Sequence, residues 1–371
     1  MKPPLLRLCV SFILLLLSVV GTRAADAPRA SGRFLYVAVP GVRNYLEYGG
    51  HGVLVYDIDH GHRFVRRIPS AGLADDGKPS NVKGICASAA TGRLYVSTIK
   101  SLQCYDLLTD KILWEKSYPG GCDRMSITPD GATLYVPSFE GDHWNVVDAR
   151  DGRVMAQIKP DSRAHNTIIG PNGREAYLAG LGSSLLTVAD VTSHRAVRTV
   201  GPFSAAVRPF TIDGRQTRLF ANVNDLLGFE VADLHSGKVI QRVEVTGFSK
   251  GAVKRHGCPS HGIALTLDEH ELWLADAHNS RVHIFDLTGE APRQIDSVVL
   301  RDQPGWITFS IDGKRVYPST GEVIDVATRK VIATLTDETG AAVQSEKLLE
   351  IDFENGRVVR AGDQFAIGGL R

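Results

Sequence analysis

The sequence is poor in cysteine and has no excess of charge of either sign. Only five of its 371 residues are cysteine, and none lies in a CxxC, finger-type or CxxCH pattern, which argues against a zinc finger and a covalently attached haem. Lys and Arg number 42 and Asp and Glu 41, so no electrostatic argument favours binding to nucleic acid or to an anionic membrane. No GxGxxG sequence occurs, and the fingerprint of a dinucleotide-binding unit is therefore missing.

Long apolar runs are also missing, except at the amino terminus. Lys2 and Arg7 precede an apolar stretch over residues 8–20, and Thr22 and Ala24 place small residues where a signal peptidase reads them. This run is short for a membrane span, which needs roughly 20 residues. The pattern predicts a secretory signal peptide over residues 1–24; an uncleaved membrane anchor is the alternative. We expect an exported protein, periplasmic or secreted, with no transmembrane anchor after cleavage and one domain over residues 31–371.

Four cysteines follow the predicted signal peptide, at positions 86, 104, 122 and 258. An exported protein is able to form disulfides, but the spacings of these cysteines do not reveal a pairing. We expect most of them to be buried thiols.

A turn-plus-strand signature occurs seven times along the chain. Its aromatic members are Tyr36, Tyr95, Tyr135, Tyr177, Phe220, Trp273 and Tyr317. A second signature, an apolar strand that ends in aspartate, follows each time, at Asp57, Asp106, Asp148, Asp190, Asp233, Asp286 and Asp325. The shorter spacings between successive aromatic members are 40 to 44 residues. Four short strands in a period of about 42 residues are typical of a propeller blade, so the sequence predicts an all-β, seven-bladed β-propeller. A pair of β-sandwiches is the structural alternative.

The first unit has no innermost strand ahead of its turn, whereas the other six units have one. Residues 348–356, LLEIDFENG, have the shape of such a strand and no unit follows them. We therefore predict that this segment closes the ring as the innermost strand of blade 1. Closure of this kind removes an open sheet edge that would otherwise pair with other chains.

The repeats resemble a known family. SITPDGATLYV and HGIALTLDEHELWLADAHNSRVHIFDLTG are similar to the YVTN-type repeats of exported bacterial propellers, a family with YncE-like and lactonase-like members. No unit reads YVTN; the nearest are YVST at 95–98 and YVPS at 135–138. The resemblance covers nearly the whole chain after the predicted signal peptide and implies the propeller fold. It implies no single activity, because the family includes both binding proteins and enzymes.

The alternating strand directions assign each loop to one of the two rims of the propeller. We call top the rim that carries the loops between second and third strands and the loops between blades. Three extended loops, residues 39–52, 69–82 and 247–260, all belong to the top. Long ordered loops are usually functional, so we expect a binding site on the top rim.

The first strands of the blades begin at the top, around the central channel, and carry several charged or aromatic residues. The predicted ligand-binding residues of this region are Lys83, Asp123, Arg124, Arg208, Trp306, Asp276 and His278. The cations among them, with the basic loop KGAVKRH at 250–256, favour a small anionic ligand or a protein partner. A merely polar channel lining is the alternative.

Three histidines give the same region a second interpretation. His165 and His261 start the first strands of blades 4 and 6, and His256 lies in the top loop before His261. Neutral imidazoles bind Zn, Cu, Fe and Ni, so these three residues are the predicted ligands of a possible divalent metal ion, with Asp123 or Asp276 adding a carboxylate. No HExxH or similar spacing identifies a metal, and the cofactor stays unknown. A lactonase- or lyase-type enzyme that uses His165 and His261 as catalytic groups is therefore the alternative to a binding protein.

Overall fold

The computed structural model describes residues 31–69, 72–74 and 76–370. The predicted signal peptide lies outside the described residues. Within these ranges the chain forms 29 strands and one 3₁₀ helix, Leu46–Tyr48, and the strands assemble into seven antiparallel sheets. The prediction of an all-β, seven-bladed propeller is confirmed. No helix of the described ranges combines the length and hydropathy that a membrane crossing requires.

Blade 1 combines the two ends of the described chain. It contains β1 (Gly32–Val39), β2 (Gly52–Asp57), β3 (Arg63–Ile68), β28 (Leu348–Glu354) and β29 (Arg357–Ala361). Blade 2 contains β4 (Val82–Ser88), β5 (Arg93–Thr98), β6 (Ser101–Asp106) and β7 (Ile112–Ser117). Blade 3 contains β8 (Ser126–Ile127), β9 (Thr133–Pro137), β10 (Trp144–Asp148) and β11 (Val154–Ile158).

Blades 4 to 7 follow in chain order. Blade 4 contains β12 (Ala164–Ile169), β13 (Glu175–Gly180), β14 (Leu186–Asp190) and β15 (Arg195–Val200). Blade 5 contains β16 (Val207–Ile212), β17 (Arg218–Val223), β18 (Gly228–Asp233) and β19 (Lys238–Glu244). Blade 6 contains β20 (Ser260–Leu265), β21 (Glu271–Asp276), β22 (Arg281–Asp286) and β23 (Arg293–Val299). Blade 7 contains β24 (Ile307–Phe309), β25 (Arg315–Pro318), β26 (Glu322–Asp325) and β27 (Lys330–Thr334).

The hydrophobic core is divided among the contacts between neighbouring blades. On β1, Leu35 and Val37 pack against blade 7, whereas Phe34 and Tyr36 pack against blade 2. Successive side chains of a strand point to opposite faces of the sheet, so a strand that is apolar at every position serves two interfaces. Five further clusters of this kind join the remaining pairs of neighbouring blades and complete the ring.

The two sequence signatures have separate structural roles. The seven aromatic residues all lie on the second strand of their blade and are at most 1% exposed, and the polar tip of Tyr95, for example, donates a hydrogen bond to Ala149 O at 3.0 Å. The seven aspartates end the third strand. Their Oδ1 atoms accept backbone N–H groups two or three residues later, as Asp190 does from Ser193 at 2.7 Å. Aspartate thus fixes the turn into the fourth strand.

Blade 1 differs from the other blades in having five strands. β28 pairs with β1 in an antiparallel register that joins Leu35 to Glu350, but β29 pairs with the free side of β28. The sheet order is β29-β28-β1-β2-β3. β28 therefore takes the predicted place beside β1, but β29 lies beyond it, so β28 is not the innermost strand that the sequence analysis expected. The extra hairpin turns at Asn355 and Gly356, which have φ angles of 50° and 72°. A two-residue hairpin turn of this type needs positive φ angles at both positions, and asparagine and glycine adopt them readily.

The residues after β29 close the channel from the bottom. We call residues 362–370 the C-terminal segment. The side chain of Gln364 accepts the backbone N–H of Ile85 at 3.4 Å, and Ala366 O accepts the hydroxyl of Thr211 at 3.0 Å. These contacts reach blades 2 and 5 from one short segment, so the channel does not run open from rim to rim.

The four described cysteines are buried free thiols. Tyr95 pairs with Cys86 on one side and with Cys104 on the other, so these two cysteines are two strands apart, roughly 9–10 Å. A disulfide requires Cα atoms within about 7 Å. Burial raises the pKa of Cys104 to about 11 and that of Cys258 to about 12, which leaves almost no thiolate at neutral pH.

We expect the protein lacking residues 1–24 to contain four thiols that react with Ellman's reagent only after unfolding. The measurement is the release of thionitrobenzoate at pH 8, with and without guanidinium chloride. Rapid labelling of the native protein, or fewer than four thiols in denaturant without a reducing agent, would contradict this assignment.

Two buried carboxyl groups face each other on β28. Glu350 and Asp352 are 1% and 3% exposed, and residues two apart on a strand share one face. Glu350 accepts the backbone N–H of Ile311 at 2.7 Å, and Asp352 pairs with Arg360 at 2.7 Å. Burial, with a smaller contribution from Asp352, raises the pKa of Glu350 to about 8. Glu350 therefore keeps its proton at neutral pH.

Because the folded pKa of Glu350 is above the unfolded one, this carboxyl group makes the protein less stable as pH rises from about 4.5 to about 8. We expect the difference in free energy of unfolding between Glu350→Gln and the wild-type protein to be roughly 1–3 kcal/mol more favourable to the variant at pH 8 than at pH 4.5. Urea unfolding at both pH values measures it. Glu354→Gln, exposed at the end of the same strand, is the control. An equal effect of Glu350→Gln at both pH values would show that Glu350 titrates normally.

Candidate functional site

A cavity of about 130 Å³ opens on the top rim at the channel mouth. We call this cavity the cup. Side chains from six of the seven blades and from the loops between them line it: Arg43, Asn81, Lys83, Arg124, Glu140, His165, Leu181, Arg208, Arg255, His256, His261, Glu346 and Lys347. Six of these residues are arginine or lysine and two are glutamate, so the cup concentrates positive charge on a protein that is otherwise close to neutral.

Glu346 is the carboxylate at the centre of the cup. It directly precedes β28, so the closure of the ring places it there. Its Oε2 accepts hydrogen bonds from Arg124, in a very short contact, and from Lys347 Nζ at 2.8 Å. Its Oε1 lies 2.7 Å from Nδ1 of His256. Although burial opposes ionisation, the neighbouring Lys347, His256 and Arg124 hold the pKa of Glu346 well below its usual range.

Gly305 and Trp306 pack next to the group formed by Glu346, His256 and Arg124. A Cβ atom at Gly305 would overlap both His256 and Glu346, so only glycine admits these two side chains at that position. Trp306 lies below the cup, with its ring 3.8 Å from the Arg124 guanidinium, and its Nε1 donates a 2.5 Å hydrogen bond to Gln364 O of the C-terminal segment. A desolvated stack of this kind stabilises by about 2 kcal/mol.

A second polar centre joins blades 2, 3 and 4. Asp123 is fully buried; its Oδ2 lies 2.7 Å from Nδ1 of His165 and its Oδ1 lies 3.4 Å from Nζ of Lys83. Burial would raise the pKa of Asp123, but His165 and Lys83 bring it below its ordinary value. Burial also lowers the pKa of His165. The pair is therefore an ionised carboxylate and a neutral imidazole, in which Nδ1–H donates to Asp123 and Nε2 keeps its lone pair.

His261 has the same tautomer as His165, but a backbone carbonyl group takes the place of the carboxylate. Its Nδ1 lies 2.6 Å from the carbonyl oxygen of Gly305, which can only accept, so Nδ1 carries the hydrogen and Nε2 keeps its lone pair. Burial lowers the pKa of His261 well below its ordinary value. Its ring lies 5.1 Å from that of His256. The cup therefore contains neutral imidazoles beside fixed positive charges.

The positive charge of the cup is only partly compensated. Lys83 pairs with Asp123, and Arg255 pairs with Asp302 at 2.7 Å. Arg124 and Lys347 share the one carboxylate of Glu346.

Two further arginines have no carboxylate within ion-pair distance among the described residues. Arg208 bonds Asn224 Oδ1 at 2.5 Å and the carbonyl of Gly257 at 3.4 Å, and Arg43 bonds the carbonyl of Arg255. Neutral acceptors leave their charges in place, so the cup attracts anions.

The ligand atoms of His256, His261 and Glu346 lie within 4.8 Å of one another, which is close enough to hold a metal ion. However, both oxygens of Glu346 are engaged, and Arg124 and Lys347 place positive charge against it. This arrangement favours an anion over a divalent cation. His165 lies with Asp123 instead, and the metal set named from the sequence stays a prediction.

The structure distributes the other predicted residues between the cup and its surroundings. Lys83, Arg124 and Arg208 line the cup, and Asp123 and Trp306 lie directly beneath it. Asp276 is instead buried against His283 at 2.9 Å, and His278 is exposed with its Nδ1 3.3 Å from Ala252 O. Neither of the last two lines the cup.

Several cup residues were missed in the sequence. Arg43 lies in the long top loop 39–52, and this position was its available signal. Arg255 belongs to the basic loop 250–256 named above but was not singled out within it. Glu346 and Lys347 directly precede residues 348–356, which the sequence predicted to be a first strand, and this position was their available signal. The sequence GFSKG at 247–251 has GxSxG spacing, but it lies in a loop between β19 and β20 with no helix after it, so it is not a nucleophile elbow.

Comparisons with known proteins identify the fold but not a family. No protein-family model matches the chain, and no curated protein matches it either. Among solved structures, hydrazine synthase of Kuenenia stuttgartiensis is 18% identical over 71% of this chain and 97% of its own, with a TM-score of 0.46, too low to support an argument. The β-propeller domain of Cps50 (Swd1) from Myceliophteria thermophila is 14% identical over 76% of this chain and 98% of its own, with a TM-score of 0.58. This second likeness supports the β-propeller fold alone, and membership of the YVTN-type family stays a prediction.

Proposed function

We propose that the protein binds a small anion, of the size of a short-chain carboxylate, in the cup. The observation that carries the proposal is the uncompensated charge of Arg43 and Arg208 at the mouth of a cavity that is closed from below. Guanidinium groups are suited to carboxylates because their N–H groups match two oxygens at once. A recessed cup of about 130 Å³ fits a small ligand better than the surface of a protein partner.

Unpaired hydrogen-bonding atoms support the same ligand. Arg124 Nε and Arg255 Nη1 are buried N–H groups without an acceptor among the described residues. Buried donors without a protein acceptor are rare, and both of these arginines line the cup. An anion supplies acceptor oxygens, whereas a cation does not.

We expect acetate, pyruvate or phosphate to bind the purified protein, and Arg208→Gln to weaken the affinity at least about tenfold, because a hydrogen bond to a charged group contributes roughly 1.5–3 kcal/mol. Isothermal titration calorimetry at low ionic strength measures the dissociation constant. Arg195→Gln, an exposed arginine on the outer strand β15, is the control and should leave the affinity unchanged.

Two results would contradict anion binding in the cup. One is the absence of binding heat for all three anions at millimolar concentration. The other is equal affinity in the wild-type protein and in the Arg208→Gln and Arg43→Gln variants, which would place the anion elsewhere.

The pairing of Asp123 with His165 favours a second candidate, an enzyme of lactonase or lyase type. A carboxylate that holds the Nδ1–H of a histidine leaves Nε2 as a base toward the cup. Because the pKa of His165 is lowered, this base stays unprotonated at pH values below the ordinary histidine range. Arg43 and Arg208 would hold the carboxylate of the substrate while His165 accepts a proton.

We expect His165→Gln to abolish hydrolysis of a carboxylate-bearing lactone, if the wild-type protein shows any, and to change anion affinity less than about threefold. Acid release in a weakly buffered indicator assay measures turnover. His278→Gln, exposed on the same rim and outside the cup, is the control. Lack of turnover by the wild-type protein would leave the binding function and remove the enzyme candidate.

Export, proposed from residues 1–24, stays a prediction.

A further inference from the structure

We propose that Lys347 is a nucleophilic amine that forms an imine with a small 2-oxo acid bound in the cup. This inference rests on the proposed anion binding and names the ligand class more closely: a carboxylate with a neighbouring carbonyl group. Nothing in the sequence pattern singled out this lysine, which lies between the last blade and the closing strand β28.

The position of Lys347 is the first support. The residue lines the cup and is 2% exposed. Its Nζ donates to the carbonyl of Gly41 at 2.6 Å and to Glu346 Oε2 at 2.8 Å. The backbone oxygen and the carboxylate hold the nitrogen in place at the wall of the cavity.

The count of charges is the second support. Glu346 is the one carboxylate that both Arg124 and Lys347 contact, so one of the two cations lacks a counter-charge. Arginine keeps its proton in proteins, whereas a buried lysine readily gives up its proton. Lys83, whose charge also disfavours a second ammonium group nearby, adds to the effect. Burial, followed by these neighbouring cations, lowers the pKa of Lys347 to about 7 despite the attraction of Glu346.

The reaction is a condensation without oxidation or reduction. The nitrogen lone pair attacks the carbonyl carbon, the C–N bond forms, and one amine hydrogen moves to the carbonyl oxygen to give a carbinolamine. Loss of the C–O bond, with the second amine hydrogen, then releases one molecule of water and leaves the C=N bond. Formation of the bond costs Lys347 its hydrogen bonds to Gly41 and Glu346, and the Arg43 and Arg208 guanidinium groups compensate by binding the carboxylate of the ligand.

The test is reductive trapping with pyruvate as the probe. The whole protein is incubated with pyruvate and sodium borohydride at pH 7 and digested, and each lysine-containing peptide is quantified by mass spectrometry. We expect one carboxyethyl group per chain on Lys347, at least about tenfold above any other lysine, because exposed lysines with a pKa near 10.4 are almost wholly protonated at this pH. Lactate, which has the same carboxylate and no carbonyl group, should give no adduct.

Two variants and one control accompany the wild-type protein. Lys347→Arg keeps the charge beside Glu346 and Lys347→Met removes it, and both should abolish the adduct. Lys254→Met, an exposed lysine on the top rim outside the cup, should leave trapping unchanged. Peptide mapping of the wild-type protein decides the site even if both variants at position 347 fail to fold.

Calorimetry with the same two compounds separates the failure of this inference from that of the proposed function. If pyruvate and lactate both bind and no adduct forms on Lys347, the imine is wrong and anion binding holds. If neither compound binds and no adduct forms, both proposals fail. Equal modification of many exposed lysines would also overturn the role of Lys347.

Discussion

A four-stranded sheet of this length cannot bury both of its faces alone, and this constraint underlies the whole structure. Strands such as β1 are apolar on both alternations, so each face must be covered by another blade. Leu35 and Phe34 are neighbours in the chain and nevertheless belong to the cores of opposite interfaces. Stacking in a ring buries both faces of every blade only if the last blade packs against the first. The pairing of β28 with β1 is therefore required to complete the ring.

The same pairing builds the functional region. Glu346 and Lys347 directly precede β28, and the C-terminal segment directly follows β29, so closure of the ring brings a carboxylate and an amine to the top of the channel and a plug to its lower side. Trp306 connects the two levels, because it stacks on Arg124 above and bonds Gln364 below. The stability of blade 1 and the shape of the cup are therefore coupled through one stretch of chain.

Electrostatics then decide what the cup accepts. A single carboxylate, Glu346, holds Arg124, Lys347 and His256 together, and Asp123 does the same for Lys83 and His165. The carboxylates organise the cations without neutralising all of them. Burial keeps His165 and His261 uncharged, so the surplus positive charge belongs to arginine and lysine and is available to an anion.

The sequence by itself determined the seven blades, because the turn aspartates and buried aromatic residues repeat with a period that local strand and turn preferences impose. It also identified Lys83, Arg124, Arg208 and His261 as channel residues, since each starts the first strand of its blade. It did not determine that Asp276 binds His283 away from the cup, that Asn355 and Gly356 add a fifth strand to blade 1, or that Glu346 and Lys347 lie beside Arg124. Asp276 and His283 are seven positions apart and the Asn355–Gly356 turn is local, so these two features depend on short-range contacts. Arg124 and Glu346 are 222 positions apart, and only the closed ring brings them within hydrogen-bonding distance.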